Sequence, residues 1–587
     1  MTPFYINECL CWLHRGTSKR GVVLCSPIGL EDLVMHRFIR RLACDIARAG
    51  MPVLRFDYRG TGDSAGTDSD PDTVQRWLSN VRAAAEWLRQ RAGVEELVLV
   101  GFRVGNLLAA HAAAQLGDIA ALALVGPVAS GRAYMREALA LRSFVAQNTE
   151  GPPPEDDSRS GLSVAGFHLS GTTVRDLERL DMETLPHRPA SRVLLLGRSG
   201  SPADQRLADS IRALGAEVSV GILPGFASMP WNSSLAVLPA DAFDELMQWI
   251  CRDKPRGRAA CMPFISGALT SSEWREEPLQ FGRDGRLFGI HCTPRASLAR
   301  SALLIVNHGL NRHIGWGRSY VSLARRLASQ GIASLRMDIA GVGDSETAPG
   351  RPEQVLYAAE SIADVEAAVD WLRQHGYEAI TLLGHSSGAH LGFHAAIADP
   401  RITGLAMINL PKFHCDPMAP SDYARRQVFR STSWYWSQIT RPGVWRRLLG
   451  GKVHALRITR MIAAQQLRRA SVRLFSILER TTRATVSHTR VFSAFRQIAA
   501  RGTKIMLIYS EGDEGLDELA LYCGRGGRAL HKLNNVELHI IDDADHNLTA
   551  RSSQELYFSL LERHIGLARV SSRAAPLSVS AHRLVSQ

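Results

Sequence analysis

The sequence lacks the features of a secreted or membrane-spanning protein. Its 587 residues contain no apolar run near the roughly 18 residues that cross a bilayer, and the first 20 residues lack the apolar core of a signal peptide. The nine cysteines are odd in number and scattered, without a CxxC pair or a cysteine–histidine spacing that suits zinc. We therefore expect a cytoplasmic protein in a reducing compartment, with no transmembrane segment, no metal and no cofactor.

The composition is otherwise that of an ordinary globular protein. Apolar residues make up 45% and charged residues 21% of the chain, and the mean hydropathy is −0.07. The length predicts two large α/β domains or three to four average ones. A net charge of +12 raises nucleic acid as a partner, so the position of that charge matters.

The positive charge is concentrated in one segment. The 93 residues from Pro411 to Thr503 contain 18 basic and three acidic residues, a local balance of +15 that exceeds the +12 of the whole chain. The rest of the chain is therefore slightly acidic. Because the basicity is local, the net charge of the whole chain is weaker evidence for a nucleic-acid partner, and we expect none.

The same pattern occurs twice along the chain. The segment Arg55–Ser64 (RFDYRGTGDS) reappears as Arg336–Ser345 (RMDIAGVGDS), and the WLRQ at 87–90 reappears at 371–374. After these, LVLVGFRVG at 97–105 aligns with ITLLGHSSG at 380–388. Three matches in order, at offsets of 281 to 284 residues, indicate two copies of one domain.

Each copy alternates short apolar runs with helical patterns, as in an α/β fold with a mostly parallel, doubly wound sheet. A helix is expected at about 361–375. The predicted domains are 1–252 and 273–567, joined by a linker at 253–272 and followed by a loose tail at 568–587. The strands predicted in the second copy are 302–306, 332–337, 380–383, 404–408, 504–509 and 536–541.

The second copy carries a G-x-S-x-G motif between a predicted strand and a predicted helix. Ser386 is the central residue of this motif, Gly384-His385-Ser386-Ser387-Gly388. A sharp strand-to-helix turn exposes the serine hydroxyl and leaves no room for side chains two residues to either side. Ser386 is therefore a candidate nucleophile at a helix N-terminus that would favour a developing negative charge.

A serine hydroxyl needs a base, and the base needs an orienting carboxylate. The loops after the last two predicted strands offer Asp513 and His546 in the expected order. Glu511, Glu514 and Asp517 lie near Asp513 and are alternatives to it. The backbone N–H groups of Leu310 and Ser387 are the predicted oxyanion donors, and His308 is interpreted as a turn residue rather than a catalytic one.

These motifs resemble the α/β-hydrolase superfamily, and within it the serine aminopeptidase-like branch that includes exosortase-associated hydrolases. The marks of the resemblance are the two D-x-x-G-x-G-D-S segments, the G-x-S-x-G motif and the terminal Ala544-Asp545-His546-Asn547. The resemblance implies two tandem α/β-hydrolase domains with a triad of Ser386, Asp513 and His546. It implies a mechanism but no particular substrate.

The first copy departs from this pattern at each triad position. Arg103 stands where the nucleophile is expected, and a guanidinium cannot attack a carbonyl. No acid precedes Asp204 after the strand at 193–196, and no histidine follows the strand at 218–223 before residue 230. We expect a domain without catalytic activity, in which Arg103 either serves packing or binds a carboxylate or phosphate.

The basic segment at 411–503 lies where hydrolases of this class carry a substrate-covering cap. Helical apolar spacing predicts a helical insertion. Four of its aromatic residues either line a substrate surface or form its core. Its basic face suits an anionic or carrier-linked acyl substrate, an acidic glycan, anionic lipid at a membrane surface, or solvent. The four aromatic residues considered are Trp434, Tyr435, Trp436 and Trp445.

The leading hypothesis is a serine hydrolase that cleaves an ester or thioester through an acyl-enzyme on Ser386. An acyltransferase in polysaccharide or secondary-metabolite biosynthesis is the alternative among enzymes. A ligand-binding or scaffold protein with a hydrolase fold is the alternative outside enzymes, and an activated serine argues against it. The sequence predicts a small-molecule or carrier-bound acyl substrate and leaves the oligomeric state open.

Overall fold

A computed structural model describes residues 1–148, 161–223, 240–252, 267–296, 300–415, 417 and 484–566. The chain divides into two compact units. Unit one comprises Met1–Thr149, Pro153–Ala299 and Leu310–Glu353, and unit two comprises Glu150–Pro152, Arg300–Gly309 and Gln354–Gln587. The predicted boundaries at residues 252 and 273 follow the sequence repeat rather than these units, and they stay a prediction.

Unit one contains an eight-stranded sheet in the order β1-β2-β4-β3-β5-β6-β9-β10. β1 and β2 are antiparallel to their neighbours, and the other pairs are parallel. A separate hairpin pairs β7 with β8. The strands are β1 Thr2–Ile6, β2 Cys9–His14, β3 Arg20–Cys25, β4 Val53–Phe56, β5 Glu96–Phe102, β6 Ala121–Val125, β7 Gly161–Val164, β8 Phe167–Ser170, β9 Arg192–Gly197 and β10 Glu217–Ile222.

Helices cover both faces of this sheet. Alternate residues of the parallel strands pack into two separate cores, one with helices α2 and α3 and the other with α1 and α7. Burial on both faces explains why these strands are continuous apolar runs. The helices are α1 Gly29–Arg48, α2 Thr73–Ala92, α3 Val104–Leu116, α4 Gly131–Asn148, α5 Gly171–Glu178, α6 Pro202–Ala213, α7 Ala240–Cys251 and α8 Ser319–Ser329.

Unit one also contains four antiparallel strands from the second sequence copy. They are β11 Leu269–Thr270, β12 Trp274–Phe281, β13 Leu287–Pro294 and β15 Ala333–Asp338, paired in that order. The order β12-β13-β15 repeats the order β1-β2-β4 of the first copy. Strand β11 lies inside the predicted linker at 253–272, so the last part of that segment is strand and not linker.

Unit two contains five parallel strands in the order β14-β16-β17-β18-β19, which repeats β3-β5-β6-β9-β10 of the first copy. The predicted α/β fold class with two copies of the domain is confirmed. The strands are β14 Ser301–Ile305, β16 Ala379–His385, β17 Ile402–Ile408, β18 Lys504–Ser510 and β19 Val536–Ile541, and the helices are α9 Ser361–Gln374, α10 Ser387–Ala398, α11 Ala484–Ala500, α12 Gly515–Cys523 and α13 Arg551–His564.

Helix α11 forms the end of the insertion predicted at 411–503, and it is helical as expected. Trp434, Tyr435, Trp436 and Trp445 of that segment lie outside the described residues, as does the tail at 568–587. Among the helices that the structure describes, none has the length and apolar character needed to cross a bilayer.

Candidate active site

Ser386 sits in a strained turn between strand β16 and helix α10. Its backbone has φ +55° and ψ −119°, a conformation that few residues with a side chain adopt. The Ser386 N–H donates a hydrogen bond to the carbonyl of Ile408, 2.8 Å away in the neighbouring strand. The turn is therefore fixed by the sheet, and strain of this kind is typical of functional sites.

The two glycines of the motif make room for this turn. A Cβ atom on Gly384 would lie 2.1 Å from the carbonyl oxygen of Gly388. A Cβ atom on Gly388 would lie 2.2 Å from the carbonyl oxygen of Asn307. Both distances are far below van der Waals contact, so the turn requires glycine at both positions.

His546 and Asp513 are joined by a hydrogen bond. His546 Nδ1 lies 2.6 Å from Asp513 Oδ2, and the Asp513 side chain is only 2% exposed. The other carboxylate oxygen accepts the N–H of Gly515 at 2.8 Å, which fixes the plane of the carboxylate. Because a carboxylate accepts, the neutral imidazole carries its proton on Nδ1 and its lone pair on Nε2.

Asp513 is thus the carboxylate that contacts His546. Glu511, one of the alternatives, has an exposed side chain, and Glu514 and Asp517 lie at the start of α12. The buried position of Asp513 follows from its place directly after β18, where its N–H donates to the carbonyl of Ser510 at 3.0 Å. The structure thus brings together the histidine and the carboxylate named from the sequence, and their catalytic role stays a prediction.

Three residues that the sequence analysis did not assign hold the loop of His546. His385 Nε2 donates to the carbonyl of His546 at 2.6 Å, and Asn409 Nδ2 donates to the same oxygen at 2.8 Å. Ser510 Oγ donates to the carbonyl of Asp545 at 2.9 Å. The loop that carries His546 is therefore tied to the ends of β16, β17 and β18.

His308 stacks on His385, with ring centroids 3.8 Å apart and 14° between the planes. Burial, followed by the neighbouring imidazoles, holds the pKa of His308 well below its usual value and lowers the pKa of His385 to about 3. Both rings are thus neutral near pH 7. Neither ring therefore places a positive charge beside His546. Because a neighbouring positive charge would oppose protonation of His546, this neutrality allows His546 to accept a proton during a reaction.

The rings of His308, His385 and His546 offer nitrogen atoms within 4.8 Å of one another. A tetrahedral ion needs imidazole lone pairs that converge on one point about 2 Å from each nitrogen. Stacked rings direct their in-plane lone pairs along nearly parallel planes, and His385 Nε2 already donates to the carbonyl of His546. This geometry does not suit a shared metal ion.

The two predicted oxyanion donors are both buried. Ser387 is the first residue of α10, and its Oγ accepts the N–H of Gly309 at 3.1 Å. Leu310 belongs to unit one and is 5% exposed. The role of their N–H groups stays a prediction.

The first copy retains the same turn around Arg103. Its φ of +55° and ψ of −121° reproduce the backbone of Ser386. A Cβ atom on Gly105 would lie 2.2 Å from the carbonyl oxygen of Cys25. The equivalent glycine of the second copy, Gly388, is equally close to the carbonyl oxygen of Asn307. The backbone for a nucleophile is thus preserved, although the side chain cannot act as one.

Arg103 binds carboxylates of its own chain. Its Nε donates to Glu31 at 2.7 Å, a terminal nitrogen donates to Glu137, and the other terminal nitrogen donates to the carbonyl of Gly126 at 3.3 Å. The Arg103 side chain is 7% exposed. Of the two roles considered, the structure supports packing, with internal glutamates in place of an external anion.

The fold and the strained turn define an α/β hydrolase. A family model described as serine aminopeptidase, S33, matches residues 19–151 and 299–549, which is more than half of the chain and includes both copies. The chain belongs to this family. No curated protein matches it.

Several solved structures are similar to parts of the chain. An esterase of Pyrococcus furiosus, PF2001, is 14% identical, and the match covers 49% of this chain and 90% of that chain with a TM-score of 0.31. An alpha-beta serine hydrolase homologue from Coxiella burnetii is 14% identical, with 49% of this chain and 97% of that chain covered and a TM-score of 0.29. A cold-adapted esterase from an Arctic intertidal metagenomic library is 13% identical, with 52% of this chain and 99% of that chain covered and a TM-score of 0.29.

Proposed function

We propose that the protein is a serine hydrolase that cleaves an ester or thioester through an acyl-enzyme on Ser386. The observation that carries the proposal is the 2.6 Å hydrogen bond between His546 and Asp513, in the copy whose strained turn carries a serine. The other copy keeps the turn but presents Arg103. A serine, a histidine and a buried carboxylate are together the requirement for nucleophilic catalysis by a hydroxyl group.

In the proposed reaction, Ser386 Oγ attacks the substrate carbonyl while His546 Nε2 takes the hydroxyl proton. Asp513 keeps the imidazole in the correct tautomer and stabilises the imidazolium that forms. The N–H groups of Leu310 and Ser387 are the proposed donors to the oxyanion. Collapse of the tetrahedral intermediate expels the alcohol or thiol, which receives the proton from His546, and water then releases the acyl group by the same steps.

The proposed substrate is an anionic or carrier-linked acyl compound. The proposal is supported by the net charge of +15 in residues 411–503. Hydrolases of this class carry a substrate-covering cap at this position in the chain. A dense positive charge raises the local concentration of anions and the rate of encounter. A cytoplasmic location is part of the same proposal, since acyl thioesters of carriers occur there. The acyltransferase alternative differs only in the acceptor of the acyl group.

Kinetics on a simple aryl ester test the proposed nucleophile and base. Ser386→Ala and His546→Ala should each lower kcat by about 10^4 to 10^6, because the members of a triad act as a unit. Glu511→Gln is the matched control, since Glu511 is an exposed acid in the same loop as Asp513, and this variant should keep wild-type turnover. Wild-type kcat in Ser386→Ala would refute the proposal.

A further inference from the structure

The carbonyl oxygen of His546 accepts two hydrogen bonds from side chains of unit two that are outside the proposed triad. His385 Nε2 donates at 2.6 Å and Asn409 Nδ2 donates at 2.8 Å. Both donors are buried, with His385 4% and Asn409 0% exposed. A buried donor that loses its acceptor costs free energy, so both side chains favour this one position of the His546 backbone.

His385 links the proposed base to the turn of the proposed nucleophile. It is the last residue of β16 and directly precedes Ser386. The Ser386 turn is fixed in the sheet by the carbonyl of Ile408, and the ring centroids of His385 and His546 lie 5.7 Å apart. A single side-chain hydrogen bond therefore joins the residue before the nucleophile to the backbone of the base.

Asn409 is itself held in one orientation. Its Oδ1 accepts the N–H of Ser510 at 2.8 Å, and its Nδ2 also donates to Ser510 Oγ at 3.0 Å. Because an N–H needs an acceptor, this bond assigns the amide and turns the nitrogen towards the carbonyl of His546. The φ of Asn409 is +46°, in the left-handed region that asparagine tolerates better than most residues.

The first copy lacks both donors at the equivalent positions. Phe102 pairs in its sheet with the residue before Gly126, as His385 pairs with the residue before Asn409. Gly126 keeps the positive φ of Asn409, at +58°. The copy without a candidate nucleophile thus retains this backbone but not the two polar side chains, which indicates that the fold itself does not require them.

We infer that His385 and Asn409 are positioning residues, which hold the backbone of His546 so that its ring meets Ser386. The inference rests on the proposed function, because it gives His546 the role of base. Neither residue needs to contact the substrate for this role. Both act on the distance between the two groups that exchange a proton, to which the rate of the chemical step is sensitive.

The expected effect is a loss of kcat with little change in KM. Displacement of a catalytic group by about 1 Å costs about 10^2 in rate. Since two donors share the carbonyl of His546, removal of one leaves the other in place, and we expect a smaller loss of about tenfold. Removal of both should cost more than the product of the two single losses, because each donor holds the loop when the other is absent.

The first copy supplies the substitutions for this test. His385→Phe removes the donor but keeps a ring that can stack on His308. His385→Gln does the reverse, because its amide nitrogen lies as many bonds from Cα as Nε2 of histidine does. Asn409→Gly removes the second donor and suits the positive φ. A packing role predicts that His385→Phe is closer to wild type, and a positioning role predicts that His385→Gln is.

His394 is the matched control. It lies in α10, and its Nε2 donates to a backbone carbonyl, that of Phe413, at 2.8 Å. The same nitrogen thus makes the same type of bond to a segment that does not carry His546. His394→Phe should keep kcat within about threefold of wild type, and melting temperatures show that the variants are folded.

The measurement is kcat and KM on an aryl ester. His385→Phe and Asn409→Gly should each lower kcat about tenfold with KM within about twofold, and His385→Gln should keep kcat within about threefold of wild type. Wild-type kcat in Asn409→Gly, or a loss in His385→Gln as large as that in His385→Phe, would overturn the inference. If His385→Phe does not fold, Asn409→Gly decides alone. Activity that survives Ser386→Ala would instead refute the proposed function, so the two failures are distinguishable.

Discussion

His313 gives the free energy of unfolding a pH dependence that can be measured directly. Burial alone would lower the pKa of this imidazole, but the carboxylates of Asp338 and Asp63 outweigh burial and raise the pKa to about 10. In the unfolded chain the pKa of a histidine is about 6.5. The folded protein thus keeps a proton that the unfolded chain releases. The stabilisation is complete below pH 6.5 and is lost as the pH rises towards 10.

The folded protein holds one more proton at His313 than the unfolded chain does, and this difference sets the slope of the free energy of unfolding against pH. Between the two pKa values the free energy of unfolding should fall by about 1.4 kcal/mol per pH unit. The clearest range is about pH 7.5 to 8.5, where other unfolded histidines are already neutral and unfolded phenols are still protonated. Unfolded thiols begin to ionise in this range, and they do so equally in wild type and in a variant of His313. Histidines whose pKa is lowered in the fold, such as His308 and His385, act below this range.

Urea unfolding at a series of pH values tests this prediction. Wild type is compared with His313→Gln, in which the titrating group is absent. The difference in free energy of unfolding between the two proteins should shrink by about 1.4 kcal/mol for each pH unit. A difference that stays constant from pH 7.5 to 8.5 would refute the assignment of a protonated His313 bridging two carboxylates.

Three further predictions concern the proposed site. Asp513→Asn should lower kcat on an aryl ester by about 10^4, because the amide favours the wrong tautomer of His546, and a larger loss in Asp517→Asn would show that the wrong acid had been chosen. Arg103→Ser should give no acylation of the first copy, since no base is paired with the new hydroxyl, and it should lower the melting temperature because Glu31 loses its cation. An acyl adduct at position 103 by mass spectrometry would contradict this. The apparent kcat/KM on an anionic thioester should fall as salt rises, because charges at 411–503 are screened over about 8 to 10 Å, while a neutral ester should be unaffected. Equal salt profiles would refute electrostatic steering.

The parallel strands and the proposed triad could be predicted from the sequence for a physical reason. Strands buried on both faces are apolar along their whole length, and turn residues mark their ends. The prediction for β19 matches its bounds, and that for β18 is one residue short. Helix α9 ends one residue before the predicted position. Asp513 and His546 lie in the loops after β18 and β19, so their contact could be expected from the sequence as well.

Of the antiparallel strands of the second copy, β15 was predicted as 332–337, but β11, β12 and β13 were not predicted, and neither were the buried ion pairs around Asp63 and His313. Strand β12 (WREEPLQF) is rich in polar residues, and its Glu276 is fully buried against Arg336. From the sequence alone, a buried glutamate cannot be distinguished from an exposed one unless the residue that pairs with it is known. Several of the buried ion pairs join residues that lie 250 or more positions apart, as His313 and Asp63 do, and no local pattern reveals such a pair. The same holds for Arg103, whose glutamates lie 72 and 34 residues away.

The most direct test of the central claim is the site of covalent modification. The full chain is incubated with a fluorophosphonate, and separately with a panel of acyl thioesters and esters, and its intact mass and peptides are measured. The account predicts one adduct per chain, located on Ser386, that is absent in Ser386→Ala and slow to form in His546→Ala. An adduct at another residue, or labelling that persists in Ser386→Ala, would contradict it.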